Sequence, residues 1–523
     1  MITIQYNREG LEYDSYAMIT SFFPNVETKQ VLLTDSREPL PADAIRISLD
    51  TDARAGSVFF AKGETLREDK QFYFGCEEDT LGNVAADATS EQQAEAVNDA
   101  LQKRKHAWKI FFYDTLSEYT GKTLPWGALT GVRPTKLIMA VAKETAQGDI
   151  LVEEEEREAV KKRMMNEYRV SERKADLGYR IAVLEDRILE PFSYDSTRGE
   201  GYSVYVGIPF CPSRCLYCSF LSYPIEKWQK QVADYLECIG TELKACREIM
   251  KDKRLDTVYI GGGTPTALSA EELDVVLQAV EKYLPMEQTK EFTVEAGRPD
   301  SITVDKLRVM KKHAVNRISV NPQTFKQETL DLIGRHHTVE EVKEAFALAR
   351  AEGFDNINMD LILGLPGETL ADVERTYEEV KRCDPDSLTV HSLALKRASN
   401  MKAWVQEHGQ ISGLDYELAM NAGEAAAASM HMQPYYLYRQ KNMAGALENT
   451  GFAREGKYGL YNILIMEEVQ SIYAIGAGTV SKKVYTDGSG RIERCDTHKD
   501  LKLYLAGISE MIERKRKLFS GDE

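Results

Sequence analysis

Three of the eight cysteines of this 523-residue chain, Cys211, Cys215 and Cys218, fall within eight residues in a C-x3-C-x2-C run. At the observed cysteine frequency that spacing arises by chance about 0.002 times per chain. Thiolates this close are metal or cluster ligands before they are anything else. A structural zinc site wants four protein ligands, normally two pairs, and neither a second C-x2-C nor a His pair accompanies the run. A [4Fe–4S] cluster held by three thiolates instead leaves one iron open, which a small molecule bearing an amine and a carboxylate can chelate. Cys76, Cys238, Cys246, Cys383 and Cys495 show no clustering and read as small buried hydrophobes in a reducing compartment. The adjacent pair His336-His337 does not converge on a metal, because neighbouring side chains diverge, and reads as ordinary hydrogen bonding.

The triplet must be positioned by something. From about Tyr202 to Leu395 the chain repeats an apolar β-branched run, a turn and a charged amphipathic helix. The spacing predicts six strands, Tyr202–Phe210, Thr257–Ile260, Glu291–Glu295, Arg317–Asn321, Asn356–Leu363 and Ser387–Leu395. Helices are predicted between them over Glu226–Lys251, Glu271–Tyr283, Val304–His313, Val339–Glu352 and Ala371–Cys383. Such repetition builds a parallel α/β sheet with its chemistry at the carboxyl ends of the strands, and the cysteine run follows the first. The fold class is therefore α/β, a partial (β/α)6 barrel. An N-terminal α+β and helical region precedes it and a smaller C-terminal α+β domain follows.

The expected boundaries are 1–88 (α+β), 89–195 (helical), 196–400 (barrel) and 401–523 (C-terminal domain). In the first, Val31–Leu33, Ile45–Leu49 and Phe72–Phe74 read as strands. In the last, Leu414–Met430 and His498–Leu518 read as helices, and Tyr435–Tyr438 and Asn462–Met466 as strands. The run of four Glu at 153–156 followed by Lys161-Lys162-Arg163 complements a helix dipole and needs no ligand.

Composition narrows the function class. Hydrophobic residues at 43% and charged residues at 28% describe a chain that folds. A net charge of −17 disfavours nucleic acid as a partner. No run approaches the 18 or so apolar residues of a membrane span, and the first residues lack a basic-then-apolar leader, so a cytoplasmic location is expected.

On the run Tyr205-Val206-Gly207-Ile208-Pro209-Phe210-Cys211-Pro212-Ser213-Arg214-Cys215-Leu216-Tyr217-Cys218, the chain resembles the radical S-adenosylmethionine (SAM) superfamily. The resemblance implies that Cys211, Cys215 and Cys218 hold a [4Fe–4S] cluster that cleaves SAM to a 5′-deoxyadenosyl radical able to abstract a substrate hydrogen. Further segments are similar to the oxygen-independent coproporphyrinogen III oxidase family within it. These are Gly261-Gly262-Gly263-Thr264-Pro265 after the second strand, Glu295 ending the third, Gln323 and Arg335 after the fourth, and Asp360 and Ile362 in the fifth. The family pattern makes Gly262, Gly263, Thr264, Glu295, Gln323, Arg335, Asp360 and Ile362 SAM-binding, and places Tyr205 against the cluster as a catalytic position.

Likeness at Trp126–Lys136, His391–Ser399, Tyr436–Asn442 and Tyr473–Thr479 extends over nearly the whole chain and points to the HemZ-type coproporphyrinogen dehydrogenase branch. The implied reaction is anaerobic oxidative decarboxylation of two propionates of coproporphyrinogen III to vinyl groups, giving protoporphyrinogen IX. It requires a low-potential electron donor and an electron acceptor. Four substrate carboxylates want cationic partners, for which Lys396, Arg397, Arg439 and Lys441 are the candidates. Phe220 stands where the decarboxylating members carry a fourth cysteine, a feature shared with the related haem chaperones. A haem-binding carrier without decarboxylase activity is therefore the alternative. The His-Asn-x-x-Tyr-Trp segment of those chaperones is missing here, since no histidine is followed by Asn.

Overall fold

The computed structural model describes residues 2–6, 12–23, 26–32, 44–50, 55–62, 65–73, 90–131, 133–146, 153–192, 199–396, 398–409, 413–440 and 444–520. Cys76, Phe74, Arg397 and Lys441 lie outside them. The chain divides into two compact units, residues 1–179 with 440–447, and residues 180–439 with 448–523.

The first unit contains five strands, β1 (Ile2–Tyr6), β2 (Thr28–Leu32), β3 (Ala44–Asp50), β4 (Ala55–Lys62) and β5 (Thr65–Tyr73), in the order β2-β1-β3-β4-β5. Its core joins Tyr6 and Ile47 of the sheet to Phe22 of the helix Glu12–Phe22 and to Trp108 and Phe112 of the helix Ser90–Thr120. Trp108 and Phe112, four residues apart on one helix face, stack with centroids 5.6 Å apart.

The second unit contains the six expected parallel strands. They are β6 (Gly201–Ile208), then after the short paired strands β7 (Phe210–Cys211) and β8 (Tyr223–Pro224), β9 (Arg254–Gly262), β10 (Glu291–Gly297), β11 (Arg317–Val320), β12 (Ile357–Leu363) and β13 (Ser387–Ser392). They lie side by side in chain order, each parallel to its neighbour. Each crossover carries an amphipathic helix, as the 3.6-residue periodicity required. Several helix starts are set locally. Ser269 with Glu272, Thr338 with Glu341 and Thr369 with Asp372 form reciprocal capping boxes that satisfy the first free N–H groups of three of these helices.

The segments after residue 430 join the same sheet. The strands β14 (Gln433–Tyr438) and β15 (Asn449–Ala453) extend it antiparallel beyond β13. On the other flank β16 (Ser471–Ile475) pairs parallel to β6, followed by antiparallel β17 (Val480–Val484) and β18 (Ile492–Asp496). Of the C-terminal strands only Tyr435–Tyr438 was read from the sequence.

Two expectations are corrected. Residues 462–466 are not a strand but part of the helix Leu460–Glu467. A five-residue apolar run carries no period that separates the two states, and here a distant carboxylate decides: Glu291 Oε2 accepts the Leu460 N–H at 2.5 Å, and Oε1 the Tyr461 N–H at 3.4 Å. The expected terminal helix 498–518 is two helices, Leu501–Ala506 and Ile508–Ser520, separated at Gly507.

Candidate functional site

Cys211 ends β7, immediately beyond β6, and Cys215 and Cys218 follow in an irregular loop. Backbone and side-chain bonds hold that loop at several points. Leu216 N–H donates to Ile333 O at 2.9 Å, Ser213 Oγ to Gly334 O at 3.1 Å, Arg214 Nη2 to Ala398 O at 2.7 Å and Tyr223 N–H to Pro209 O at 2.8 Å. Thr264 Oγ1 lies 3.5 Å from Cys211 Sγ. Gly263 is required for this approach: a Cβ there would sit 2.5 Å from Phe210 O and 3.0 Å from the Cys211 sulfur.

Burial pushes the Cys211 and Cys218 thiols above their ordinary range; the Thr264 hydroxyl opposes this at Cys211, and the Phe220 N–H at Cys218. The scattered cysteines are similarly raised by burial, Cys238 and Cys383 to about 11. Cys246 and Cys495 are buried, whereas Cys238 and Cys383 are only partly so. Among the described residues no three His, Cys, Asp or Glu side chains converge to hold a single metal ion. A cubane cluster offers each thiolate a different iron corner and does not ask the sulfurs to converge.

The strand ends bring together most of the residues singled out as SAM-binding. Gly262, at φ +109°, directs its N–H to Glu295 Oε2 at 3.3 Å, and Tyr259 Oη donates to Glu295 Oε1 at 2.5 Å. Burial pushes the Glu295 carboxyl up to about 7, opposed by the Tyr259 bond and reinforced by the nearby Asp360 carboxylate. Gln323, at φ +68°, bridges onto β12: its N–H donates to Asp360 O at 3.0 Å and its carbonyl accepts from Ile362 N–H at 2.9 Å. Asp360 is half-buried, and its desolvation alone would raise it, but the His391 ring and the Asn358 amide, whose Nδ2 donates at 2.7 Å, hold it below the usual range.

Arg335 is 5% exposed. Its Nη1 donates to Asn321 O and its Nη2 to Tyr217 Oη at 3.2 Å. Burial would lower the guanidinium, yet the Tyr217 hydroxyl and the Cys215 thiol beside it leave it raised. Tyr205 stacks with Tyr259 and Tyr461, centroids 6.1 Å away in each case, and Tyr259 stacks with Tyr461 at 4.6 Å.

The expected substrate cations are placed differently from one another. Lys396 extends over the Phe220 ring, 5.4 Å from its centroid, beside Cys218, and burial lowers its ammonium. Phe220 is 65% exposed. Arg439 is buried, its guanidinium pushed down to about 10 by desolvation with Glu448 opposing.

Sequence reasoning missed Arg298, His391, Tyr259 and Tyr461. Arg298 and His391 lay at strand ends where a charged side chain in a parallel sheet is itself a signal. Tyr461 carried none, since its helix reaches the site from a part of the chain that periodicity left ambiguous. His337, expected to hydrogen bond, is buried with both ring nitrogens unpartnered.

Residues 205–380 match the Radical SAM superfamily. The chain is 39% identical over 415 residues to the oxygen-independent coproporphyrinogen-III oxidase-like protein HemZ of Bacillus subtilis, covering 78% of this chain and 79% of that one. It belongs to the radical SAM family of HemN/HemZ-like proteins. The heme chaperone HemW of the same organism is 32% identical over 277 residues, 53% of this chain and 69% of that one. A solved structure of the radical SAM enzyme coproporphyrinogen III oxidase (HemN) from Escherichia coli aligns with a TM-score of 0.49 at 20% identity, over 63% of this chain and 73% of that chain.

As a radical SAM protein the chain takes a [4Fe–4S] cluster and SAM as cofactors. The residues present fit both groups. Three thiols share one loop, and the Arg335 Nε and Gln323 Oε1 atoms are buried with no hydrogen-bond partner. Orphaned buried polar atoms are costly unless a ligand satisfies them. Among the described residues no carboxylate ion-pairs with Arg335, which leaves its charge free for an anionic ligand.

Proposed function

We propose that the chain catalyses the oxygen-independent conversion of two propionates of coproporphyrinogen III to vinyl groups with loss of CO2. The observation that carries this reading is likeness to an oxygen-independent coproporphyrinogen-III oxidase-like relative over 415 residues, well beyond the barrel. Cys211, Cys215 and Cys218 would hold the cluster, and Arg335 and Asp360 the carboxylate and ribose of SAM. When bound, these cofactors supply the electron and the hydrogen-abstracting radical.

The chain's own residues do the rest. Glu295 and the Gly262 segment would orient the SAM amino group, a half-buried carboxylate giving that ammonium a charged partner. Gln323 at its left-handed backbone position ties this contact to Asp360 across β11 and β12. The stacked Tyr205, Tyr259 and Tyr461 rings would form an apolar wall beside Glu295. Lys396, at the rim beside Phe220, offers an ammonium to a propionate.

A second reading is a haem-binding carrier that performs no decarboxylation. It is supported by likeness to heme chaperones over about half the chain, at 32% identity in one case, and by Phe220. Anaerobic reconstitution, followed by mass spectrometry of the products from coproporphyrinogen III, SAM and a low-potential reductant, separates the two. Vinyl products with CO2 release support the enzyme. Formation of 5′-deoxyadenosine without vinyl product overturns it, and stoichiometric haem binding by the same preparation then favours the carrier.

A further inference from the structure

Arg298 follows the last residue of β10 and is 3% exposed. A buried arginine demands partners for five N–H groups, and these partners join three parts of the fold. Its Nε and Nη2 form a fork on Asp300, at 3.0 Å to Oδ1 and 2.6 Å to Oδ2. Its Nη1 points the other way, into the cysteine loop. It donates to Ser213 Oγ at 2.7 Å, reaches Ser213 O at 3.4 Å, and lies 4.0 Å from Cys215 Sγ. Ser213 in turn donates to Gly334 O, next to Arg335. The guanidinium thereby ties the loop to the end of β10, and Ser213 carries the tie on to Gly334, just after the helix Gln327–Leu332.

The fork has an electrostatic consequence. Asp300 neutralises the net charge of Arg298 but sits on the far side of it, so the pair presents its positive end to Cys215. His337 stands 4.0 Å from Asp300 Oδ1, and burial together with the two neighbouring arginines pushes it down to about 4, so it adds no charge of its own. Arg335 also lies near Cys215. N–H donors aimed at a ligand sulfur favour the more negative redox state of a cluster, and the low-dielectric surroundings strengthen the effect.

We propose that Arg298 is a positioning residue that fixes the Cys215 corner of the loop and, through its Nη1 N–H groups, raises the reduction potential of the cluster held there. This rests on the reading that Cys211, Cys215 and Cys218 ligate that cluster.

The test is an anaerobic redox titration of the reconstituted full-length protein, followed by EPR and visible absorbance, with iron content and far-UV circular dichroism measured alongside. Two variants are compared with wild type. Arg298→Lys keeps the charge and the pairing with Asp300 but loses the N–H groups aimed at Ser213 and Cys215. The double variant R298Q/D300N removes both charges without stranding Asp300. The double variant is expected to fold and load iron while its ratio of reduced to oxidised cluster at a fixed potential falls about tenfold, a midpoint lower by about 59 mV for one electron. Arg298→Lys should shift the same way by about threefold. Wild-type midpoints in both variants would overturn the proposal. If the double variant does not fold, Arg298→Lys decides alone, since a wild-type midpoint there has the same meaning. A wild-type protein that binds no cluster would sink the cysteine reading instead, which keeps the two failures distinct.

Discussion

At the scale of single residues, the site combines groups whose charges are held away from their ordinary state, and this sets what can be measured. Replacing Cys215 by Ala removes one of three ligands. The expected outcome is loss of the broad visible absorbance and of iron loading, whereas Cys383→Ala, far from the loop in sequence and only partly buried, retains both. Full loading in the Cys215→Ala protein would contradict the assignment. Glu295 makes a second, pH-dependent prediction. Its folded-state pKa of about 7 lies above the 4.5 of a free carboxyl, so between those values the folded protein binds more protons than the unfolded one. The group's contribution to stability is full below about 4.5 and is lost as the pH rises through about 7. Glu295→Gln should therefore flatten the fall in melting temperature between about pH 5 and pH 8 and raise it at pH 8. The same substitution should weaken SAM binding by about tenfold or more, because the ammonium loses its carboxylate. Melting curves and equilibrium dialysis of SAM over that pH range check both halves.

At the scale of elements, the C-terminal helix Ile508–Ser520 is joined to the barrel by a fully buried ion pair between Lys515 and Glu242 of the helix Ile225–Ile249, both side chains 0% exposed. Every remaining acceptor is used. Glu242 also takes the Tyr504 hydroxyl at 2.5 Å and the Gly476 N–H at 2.9 Å, and Lys515 donates to Ala474 O at 2.5 Å. Tyr235 extends the network to the base of the cysteine loop by donating to Gly207 O at 2.6 Å. Lys515→Met should cost about 3–5 kcal/mol in urea unfolding, because it strands a buried carboxylate rather than merely deleting a contact. Adding Glu242→Gln should recover most of that loss. A loss below about 1 kcal/mol for Lys515→Met would show that the pair is not buried in solution.

At the scale of the whole molecule, the sheet runs from β14 through the six parallel strands to β18 without a break in pairing. The first barrel strand, which leads into the cysteines, owes its second neighbour to residues 471–475. Truncation after Gln470 would expose the backbone edge of β6 and strip Glu242 of Lys515, Tyr504 and Gly476 together. The expected outcome is an aggregated protein that takes up no iron, read by size-exclusion chromatography and iron assay. A monomeric, cluster-binding truncation would show that β6 holds its place without β16. Among the described residues no helix is long and apolar enough to cross a membrane.

What the sequence by itself determined was local. The cysteine spacing and the six strand runs each depend on residues a few positions apart, so periodicity and spacing record them in the sequence itself. Of the residues expected at strand ends, Glu295 lies near the end of β10 and Gln323 just beyond β11, whereas Asp360 sits in the middle of β12 and Arg335 follows the helix Gln327–Leu332. Tertiary structure decided what depends on distant partners. The run 462–466 became a helix because Glu291, about 170 residues earlier, caps it. The strands β15 and β16 flank the barrel because β13 and β6 each had an open edge, and an edge does not record in its own residues which segment will cover it. Arg298 is a loop residue in the sequence and a clamp in the fold, since its partners Ser213 and Cys215 lie more than 80 positions away.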